Sequence, residues 1–149
     1  MKNFVLILLF AVILTACKDP NIGSEDKTTE ELLVAHGWQL DKFTDTQGVM
    51  LVDGQLEANA RLLFNLVFDF KKKNIVWGID KENTDNVTRR GVWTLENDNK
   101  TIDVDIEGFA DKFDILQLNN TTLILQAQNK NRLTGVGPEV LMVFSEFKL

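Results

Sequence analysis

The chain has 149 residues and a formal net charge of −6, which is enough length for one domain preceded by a leader. An acidic domain of this size does not attract nucleic acid or anionic lipid through its net field, so its composition excludes both as partners on that ground. The single cysteine excludes an intramolecular disulfide, and the domain therefore has to fold on its hydrophobic core alone.

The first 17 residues have the pattern of an export signal. A short start with one positive charge, Lys2, is followed by eleven apolar residues at positions 4–14. Because about 20 apolar residues are needed to cross a bilayer, this run is typical of a signal peptide. Residues 14–17, Leu-Thr-Ala-Cys, resemble the lipobox of bacterial lipoproteins at all four positions. We therefore expect residues 1–16 to be a removable signal peptide and Cys17 to carry a lipid.

A lipid on Cys17 predicts a location in the bacterial cell envelope, at the outer membrane, on either its periplasmic face or the cell surface. Each buried acyl CH2 contributes about 0.8 kcal/mol, so several chains give stable anchoring and the lipid itself makes the membrane contact. Residues 17–28 are polar and show no apolar period, which predicts a lipid anchor and a flexible tether. Residues 29–149 form the single predicted domain.

The pattern of the domain changes from helical to extended at Gly37. Before it, Thr28 and Glu31 have capping-box spacing and predict one short helix. After it, apolar residues alternate with polar ones, and polar turns separate eight predicted strands, near 37–44, 61–70, 74–80, 87–96, 100–107, 112–118, 121–129 and 139–148, the last opened by Pro138. Residues 45–60 and 129–137 are predicted loops. Consecutive hairpins of this length indicate an all-β, eight-stranded antiparallel up-and-down barrel.

At three places the sequence resembles the bacterial lipocalin-like domains found on envelope lipoproteins of Bacteroidetes. Gly37-Trp38 opens the first strand after a helical turn, similar to the Gly-x-Trp opening of lipocalins, and Gly91-Val92-Trp93 begins the hairpin GVWTLENDNKTIDV. The stretch FDILQLNNTTLIL then has a strand ending in Leu, an Asn turn and a strand opening on Thr. The resemblance covers about residues 30–148. It implies a barrel whose interior holds a small apolar ligand, and it brings no catalytic residues with it.

Candidate catalytic and metal-binding residues are few. The only histidine, His36, lies at the end of the predicted helix, where the helix dipole favours it. With no Cys/His cluster and no base near either serine, we predict no catalytic residues, no metal and no cofactor, and so a protein that is not an enzyme. Asp103, Asp105 and Glu107 alternate with apolar residues, which indicates a solvated outer face more strongly than a calcium site.

The barrel interior is the remaining candidate site. The alternation points a set of aromatic residues inward, among them Trp38, Phe64, Phe68, Trp77 and Trp93. Of the pair Arg89 and Arg90, one must also face inward, and Arg89 is our candidate for pairing with a carboxylate at the barrel end or meeting an anionic ligand head. The bulky rings either fill the barrel, which we favour, or line an open calyx.

Two functions follow from these alternatives. The first is a membrane-anchored envelope lipoprotein whose barrel binds a small apolar or amphiphilic ligand. The second is a non-enzymatic structural or interaction lipoprotein with a packed barrel, no ligand and an envelope protein as its partner. A cavity of several hundred Å3, on the usual scale of ligand pockets, would favour the first. A solid core with an exposed apolar patch would favour the second.

Overall fold

The computed structural model describes residues 27–135, 137 and 139–149. The predicted signal peptide, Cys17 and most of the predicted tether lie outside the described residues, as does Pro138. The predicted cleavage, lipidation and tether therefore stay predictions.

Eight antiparallel strands form a closed barrel in the described part of the chain, as the alternation predicts. The strands are β1 Gly37–Thr44, β2 Leu66–Lys71, β3 Ile75–Asp80, β4 Val87–Glu96, β5 Thr101–Ile106, β6 Phe109–Leu118, β7 Thr122–Ala127 and β8 Leu141–Phe147. Each strand pairs with the next along the chain, and β1 also pairs with β8, which closes the sheet. The predicted up-and-down topology is confirmed.

The alternation of β5 shows why these residues form a barrel wall. Ile102, Val104 and Ile106 are buried in the core, while Asp105 is exposed and Asp103 is half-buried on the opposite side of the strand. In β1 the spacing is not strictly two, because Leu40 and Phe43 are both buried in the core. A register shift against β8 between Leu40 and Lys42 inserts one residue and brings both side chains to the inner face.

The predicted N-terminal helix is present as α1, Thr29–Leu33. The Thr28 hydroxyl accepts a hydrogen bond from the Glu31 backbone N–H at 3.2 Å, and a Glu31 carboxylate oxygen accepts one from the Thr28 N–H at 2.8 Å. This reciprocal pair is the capping box that the spacing predicts. Within the described ranges, no helix has the length and apolar character needed to cross a bilayer.

Two further short helices lie where the sequence predicts loops. They are α2, Ala58–Leu62, and α3, Asn131–Thr134, and single 3-10 turns lie at Asp53–Gln55 and Leu63–Asn65. The strand predicted to begin at residue 61 therefore begins at Leu66 instead. Leu62, Phe64 and Leu66 alternate as in a strand, but the buried pair Ala60 and Leu63 has helical spacing and sets the local conformation.

Short helices close both ends of the barrel, with α1 at one end and α2 and α3 at the other. At the end where β1 begins, which we call the α1 end, Leu33 is fully buried in the core. At the opposite end, which we call the α2 end, Leu56, Ala60 and Leu63 are buried together with Leu133 of α3. The Glu57 N–H donates to the Leu133 carbonyl oxygen at 2.8 Å and ties the two helical segments to each other.

Candidate functional site

The interior of the barrel is filled by its own side chains. The void at its centre is about 20 Å3, and its lining is entirely apolar: Phe68, Phe70, Val104, Phe109, Phe113, Leu123, Leu125, Met142 and Phe144. The rings pack against each other, with Phe68 edge-on to Phe144 at 5.9 Å between centroids. A volume of this size is close to that of one water probe, whereas pockets for small ligands span about 300–1,000 Å3. The described core thus matches the packed alternative.

Three of the predicted lining residues pack inside this core. Phe68 contacts the central void, while Trp38 and Trp93 lie towards the α1 end. The Trp38 Nε1–H donates to the Leu33 carbonyl oxygen at 2.9 Å. The Trp93 Nε1–H donates to the carbonyl oxygens of Lys71 and Ile75 at 3.1 and 3.0 Å. Because both indole N–H groups are satisfied by backbone, these rings serve to close the barrel end.

Phe64 is also in the molecule's apolar interior, but not where the sequence predicts it. It lies in the 3-10 turn Leu63–Asn65 before β2, so the prediction that a strand carries it is wrong. Its half-buried ring is edge-on to Phe43 at 5.4 Å between centroids. Phe64 is therefore part of the plug at the α2 end.

Trp77 lies on the outer face of the barrel, and its predicted place in the interior is wrong. Its neighbours Val76 and Gly78 face the core: Val76 is fully buried, and a Cβ added to Gly78 would lie 3.3 Å from the Ile106 side chain. Residues 75–79 are apolar on both sides of the strand, so alternation alone does not distinguish the faces. The half-buried Trp77 ring is flanked by two cations, Lys71 Nζ at 5.2 Å and Arg90 Cζ at 5.9 Å from its centroid.

Arg89 lies at the rim of the α2 end, in an open cleft of about 450 Å3. The cleft is lined by Leu62, Asn65, Leu66, Asp80, Thr88, Arg89, Glu107 and Gly108. The Arg89 guanidinium donates to the backbone carbonyl oxygen of Glu107, whereas the predicted partner is a carboxylate or the head of an anionic ligand. Gly108 has a φ of +80°, and a Cβ added there would lie 2.5 Å from the guanidinium, so glycine leaves the space that Arg89 occupies.

Asp111 on β6 is a carboxylate whose pKa is raised. It lies opposite Val104 of β5, and its Oδ2 is buried without a hydrogen-bond partner among the described residues. Desolvation by burial raises the pKa of Asp111, against the smaller opposing effects of a hydrogen bond from the Lys112 backbone and the charge of Arg132.

Asp103 and Lys112 belong to a surface ion cluster. Lys112 Nζ lies 2.8 Å from Glu96 and 3.3 Å from Asp103, and the hydrogen bond to Glu96 is the main cause of the raised pKa of Lys112. His36, between α1 and β1, has a buried Nε2 without a partner among the described residues and packs edge-on to Trp38 at 6.1 Å. In residues 27–135, 137 and 139–149, no three His, Cys, Asp or Glu side chains come together as a metal site.

Two surface features were not predicted as functional. The first, which we call the apolar loop, is residues 45–52, where Val49, Met50 and Val52 are each about 60% exposed. The second, which we call the lysine hairpin, is residues 71–75, Lys-Lys-Lys-Asn-Ile, at the turn between β2 and β3. Four consecutive apolar residues in a loop and three consecutive lysines were the available signals. By themselves these patterns predict only a loop and a turn.

Neither a protein family nor a curated protein matches this sequence. Among solved structures, a lipocalin-like protein from Bacteroides uniformis ATCC 8492 is similar, with a TM-score of 0.49 and 16% sequence identity. The similarity covers 77% of this chain and 99% of that chain.

Proposed function

We propose that this chain is a lipid-anchored protein of the bacterial envelope whose barrel is a rigid, non-enzymatic interaction module. The observation that carries the proposal is the filled interior, with a void of about 20 Å3 and a helical plug at each end. A ligand carrier would need an order of magnitude more space inside the same wall. The packed barrel instead provides a stable support for surface features.

The anchor in this proposal is the lipid on Cys17. It is supported by the apolar run at residues 4–14, by the Leu-Thr-Ala-Cys match at residues 14–17, and by the polar stretch that follows. We place the protein at the outer membrane, on its periplasmic face or on the cell surface. Cys17→Ser should abolish acyl labelling and move most of the protein out of the membrane fraction. Unchanged labelling and fractionation would remove the anchor from the proposal.

The apolar loop is the surface that fits a protein partner. Asp45 Oδ1 accepts hydrogen bonds from the N–H groups of Gln47 and Val49, both at 2.9 Å, and Thr44 pairs with Met50 in an isolated bridge. These bonds hold the loop in one conformation, which lowers the entropy lost on binding. Exposed apolar side chains held together on a surface are characteristic of an interaction site.

The position of the loop also favours a partner beyond the anchored end. The loop follows β1, whereas α1 and the first described residues precede it. The eight residues of β1 span about 25 Å at roughly 3.3 Å per residue, so the loop and the start of the domain lie at opposite ends of the barrel. A domain tethered through its N-terminus thus presents the apolar loop away from the membrane.

Site-specific photo-crosslinking in cells tests this function. A crosslinking amino acid in place of Met50 should give a discrete adduct with an envelope protein, and the same amino acid in place of Asp98, an exposed turn residue at the α1 end, should not. Val49→Asp combined with Val52→Asp should abolish the Met50 adduct without lowering the melting temperature. Adducts of equal yield at both positions, or none at Met50, would contradict the proposal.

A small amphiphilic ligand in the rim cleft is the second candidate, favoured by one observation. The cleft of about 450 Å3 brings the Arg89 guanidinium next to the aliphatic side chains of Leu62 and Leu66. A cation beside an apolar surface suits a carboxylate with an alkyl chain of medium length. Titration with medium-chain fatty acids should raise the melting temperature of the native protein and leave Arg89→Gln unaffected. Equal shifts for both proteins, or none, would exclude this cleft.

A further inference from the structure

The lysine hairpin carries cations of two kinds. Lys71 is held in place, with Nζ 2.5 Å from the buried carboxylate of Asp69 and over the ring of Trp77. Lys72 and Lys73 are exposed, and the turn is tight because Lys73 and Asn74 both have positive φ, of 66° and 62°. The hairpin therefore presents two lysines to solvent from a fixed backbone.

The outer face beside the hairpin is partly apolar. Ile75 of β3 pairs with Val92 of β4, and these side chains are 39% and 54% exposed. Two residues further along β3, on the same face, Trp77 pairs with Arg90, whose guanidinium approaches the ring. Indole rings favour the headgroup level of membranes, and long cationic side chains lay their stems on apolar surface with the charge in water. This combination matches the interface of a lipid bilayer.

The hairpin also lies at the end of the barrel where the N-terminal chain enters. Lys27 Nζ donates to Asn120 Oδ1 in the β6–β7 turn at 3.3 Å, and α1 follows it. Hydrogen bonds from Thr28 lower the pKa of Glu31 in α1, and the charge of Lys72 contributes to the same shift, which places the hairpin lysine within range of α1. Nine residues lie between Cys17 and Lys27, so the ten Cα–Cα steps give a reach of at most about 35 Å. The α1 end is thus the end that a tether from the membrane meets first.

The net charge of −6 does not decide how this end interacts with a charged surface. Charges separated by more than about 8 Å are screened at physiological ionic strength, and the two ends of the barrel are about 25 Å apart. Among the described residues, Asp69 is paired with Lys71, and the exposed acidic residues on the neighbouring elements include Glu31 of α1 and Asp105, which pairs with Val92. Lys72, Lys73 and Arg90 therefore leave a local excess of positive charge.

We propose that the lysine hairpin and the adjoining outer face of β3 and β4 lie against anionic phospholipid headgroups of the membrane that holds the Cys17 lipid. The inference rests on the proposed anchor for the membrane's proximity. Docking in this orientation holds the apolar loop at the far side of the barrel, so the hairpin sets the direction in which the domain faces.

Quenching of tryptophan emission by lipid-borne nitroxides tests the contact in the full-length protein. Trp38 and Trp93 are buried in the core, so the emission that a headgroup-level nitroxide can quench belongs to Trp77. The protein is reconstituted on phosphatidylcholine vesicles with and without phosphatidylglycerol, each containing nitroxide-labelled lipid. Quenching should appear only with phosphatidylglycerol, and Trp77→Phe should abolish it.

Two charge variants make the test specific. The double variant Lys72→Gln, Lys73→Gln should lower the ratio of domains in contact with the headgroups to anchored domains out of contact by on the order of 30-fold. Lys42→Gln with Lys81→Gln changes the net charge equally at exposed lysines elsewhere and should leave quenching unchanged. Quenching that does not depend on phosphatidylglycerol, or that falls equally in both variants, overturns the inference. Flotation with phosphatidylcholine alone reports the lipid anchor separately, so a failed anchor and a failed headgroup contact give different results.

Discussion

The Trp38 Nε1–H donates a 2.9 Å hydrogen bond to the carbonyl oxygen of Leu33, and both residues are fully buried. The bond joins the last residue of α1 to the second residue of β1. A helix of five residues is too short to be stable alone, so this contact fixes it as the plug of the α1 end.

Trp38→Phe should therefore destabilise the domain. The substitution leaves the Leu33 carbonyl oxygen buried without its donor and removes part of a buried ring, which together should lower the free energy of unfolding by about 2–4 kcal/mol. Trp77→Phe is the matched control, because its ring lies on the outer face, and should cost below about 1 kcal/mol. Urea denaturation gives both values. Equal losses in the free energy of unfolding would contradict the difference between a buried, hydrogen-bonded Trp38 and a Trp77 on the outer face.

Gly91→Ala should be among the most damaging single-methyl additions in the barrel. A Cβ at this position would lie 2.1 Å from the Asp105 carbonyl oxygen and 2.5 Å from the Ile106 Cα, and backbone cannot move aside as a flexible side chain can. We expect a loss of about 3 kcal/mol or more in the free energy of unfolding. Gly54→Ala adds the same methyl where no atom lies within 4 Å, so its stability should stay within about 0.5 kcal/mol. If Gly91→Ala were as stable as Gly54→Ala in thermal and urea denaturation, the close approach of β4 and β5 would be wrong.

Asp111→Asn should stabilise the protein at neutral pH. Burial raises the pKa of Asp111 above its ordinary 3.8, so the folded chain holds this proton more tightly than the unfolded chain. The carboxylate therefore opposes folding at pH values above its folded pKa, and the penalty vanishes below pH 3.8. The amide should raise the free energy of unfolding at pH 7 and leave it unchanged near pH 3.

Asp98→Asn is the control for this pH dependence. It removes one carboxylate from an exposed turn between β4 and β5, so the free energy of unfolding should stay within about 0.5 kcal/mol of the native value at both ends of the pH range. Denaturation of the three proteins between pH 3 and 7 makes the comparison. A stabilisation by Asp111→Asn that persists at pH 3 would mean that it has a cause other than the charge of Asp111.

Phe113→Ala should turn the filled core into a binding cavity. Phe113 lines the void of about 20 Å3, and loss of its ring should lower stability by about 3–5 kcal/mol while leaving a dry apolar space. Benzene should then raise the melting temperature of the variant and not that of the native protein. Leu125→Ala, on the same wall, provides a second and smaller cavity if Phe113→Ala does not fold. A benzene shift in the native protein would show space that the packed core does not contain.

The barrel could be predicted because its information is local. Strict alternation in β5 and the polar turns after β3 and β4 determine strand positions without knowledge of partners. The orientation of β3 could not be predicted in the same way, because residues 75–79 are apolar on both faces and only the register with β4 distinguishes them. In β3 the large Trp77 side chain lies outside the barrel, and the smaller Val76 and Gly78 face the core. This arrangement is the reverse of what residue size suggests.

The barrel plugs were missed for a related reason. The helices α2 and α3 are each about one turn long, which is too short to show a helical period, and they are stabilised by contacts between distant segments such as Glu57 with Leu133. The alternation of residues 62, 64 and 66 predicts a strand for Phe64, which lies in a 3-10 turn instead. Whether the interior is packed or open also depends on how side chains from all eight strands meet, and local pattern does not contain that information.

Native mass spectrometry of the full-length protein, purified in detergent from the membranes of its native host, tests the account most directly. We predict a single species whose mass corresponds to a chain beginning at Cys17 with its acyl groups, and no small molecule retained after gentle release from detergent. A chain that still carries residues 1–16, or a small molecule retained at one per chain, would contradict a lipid-anchored barrel with a filled core.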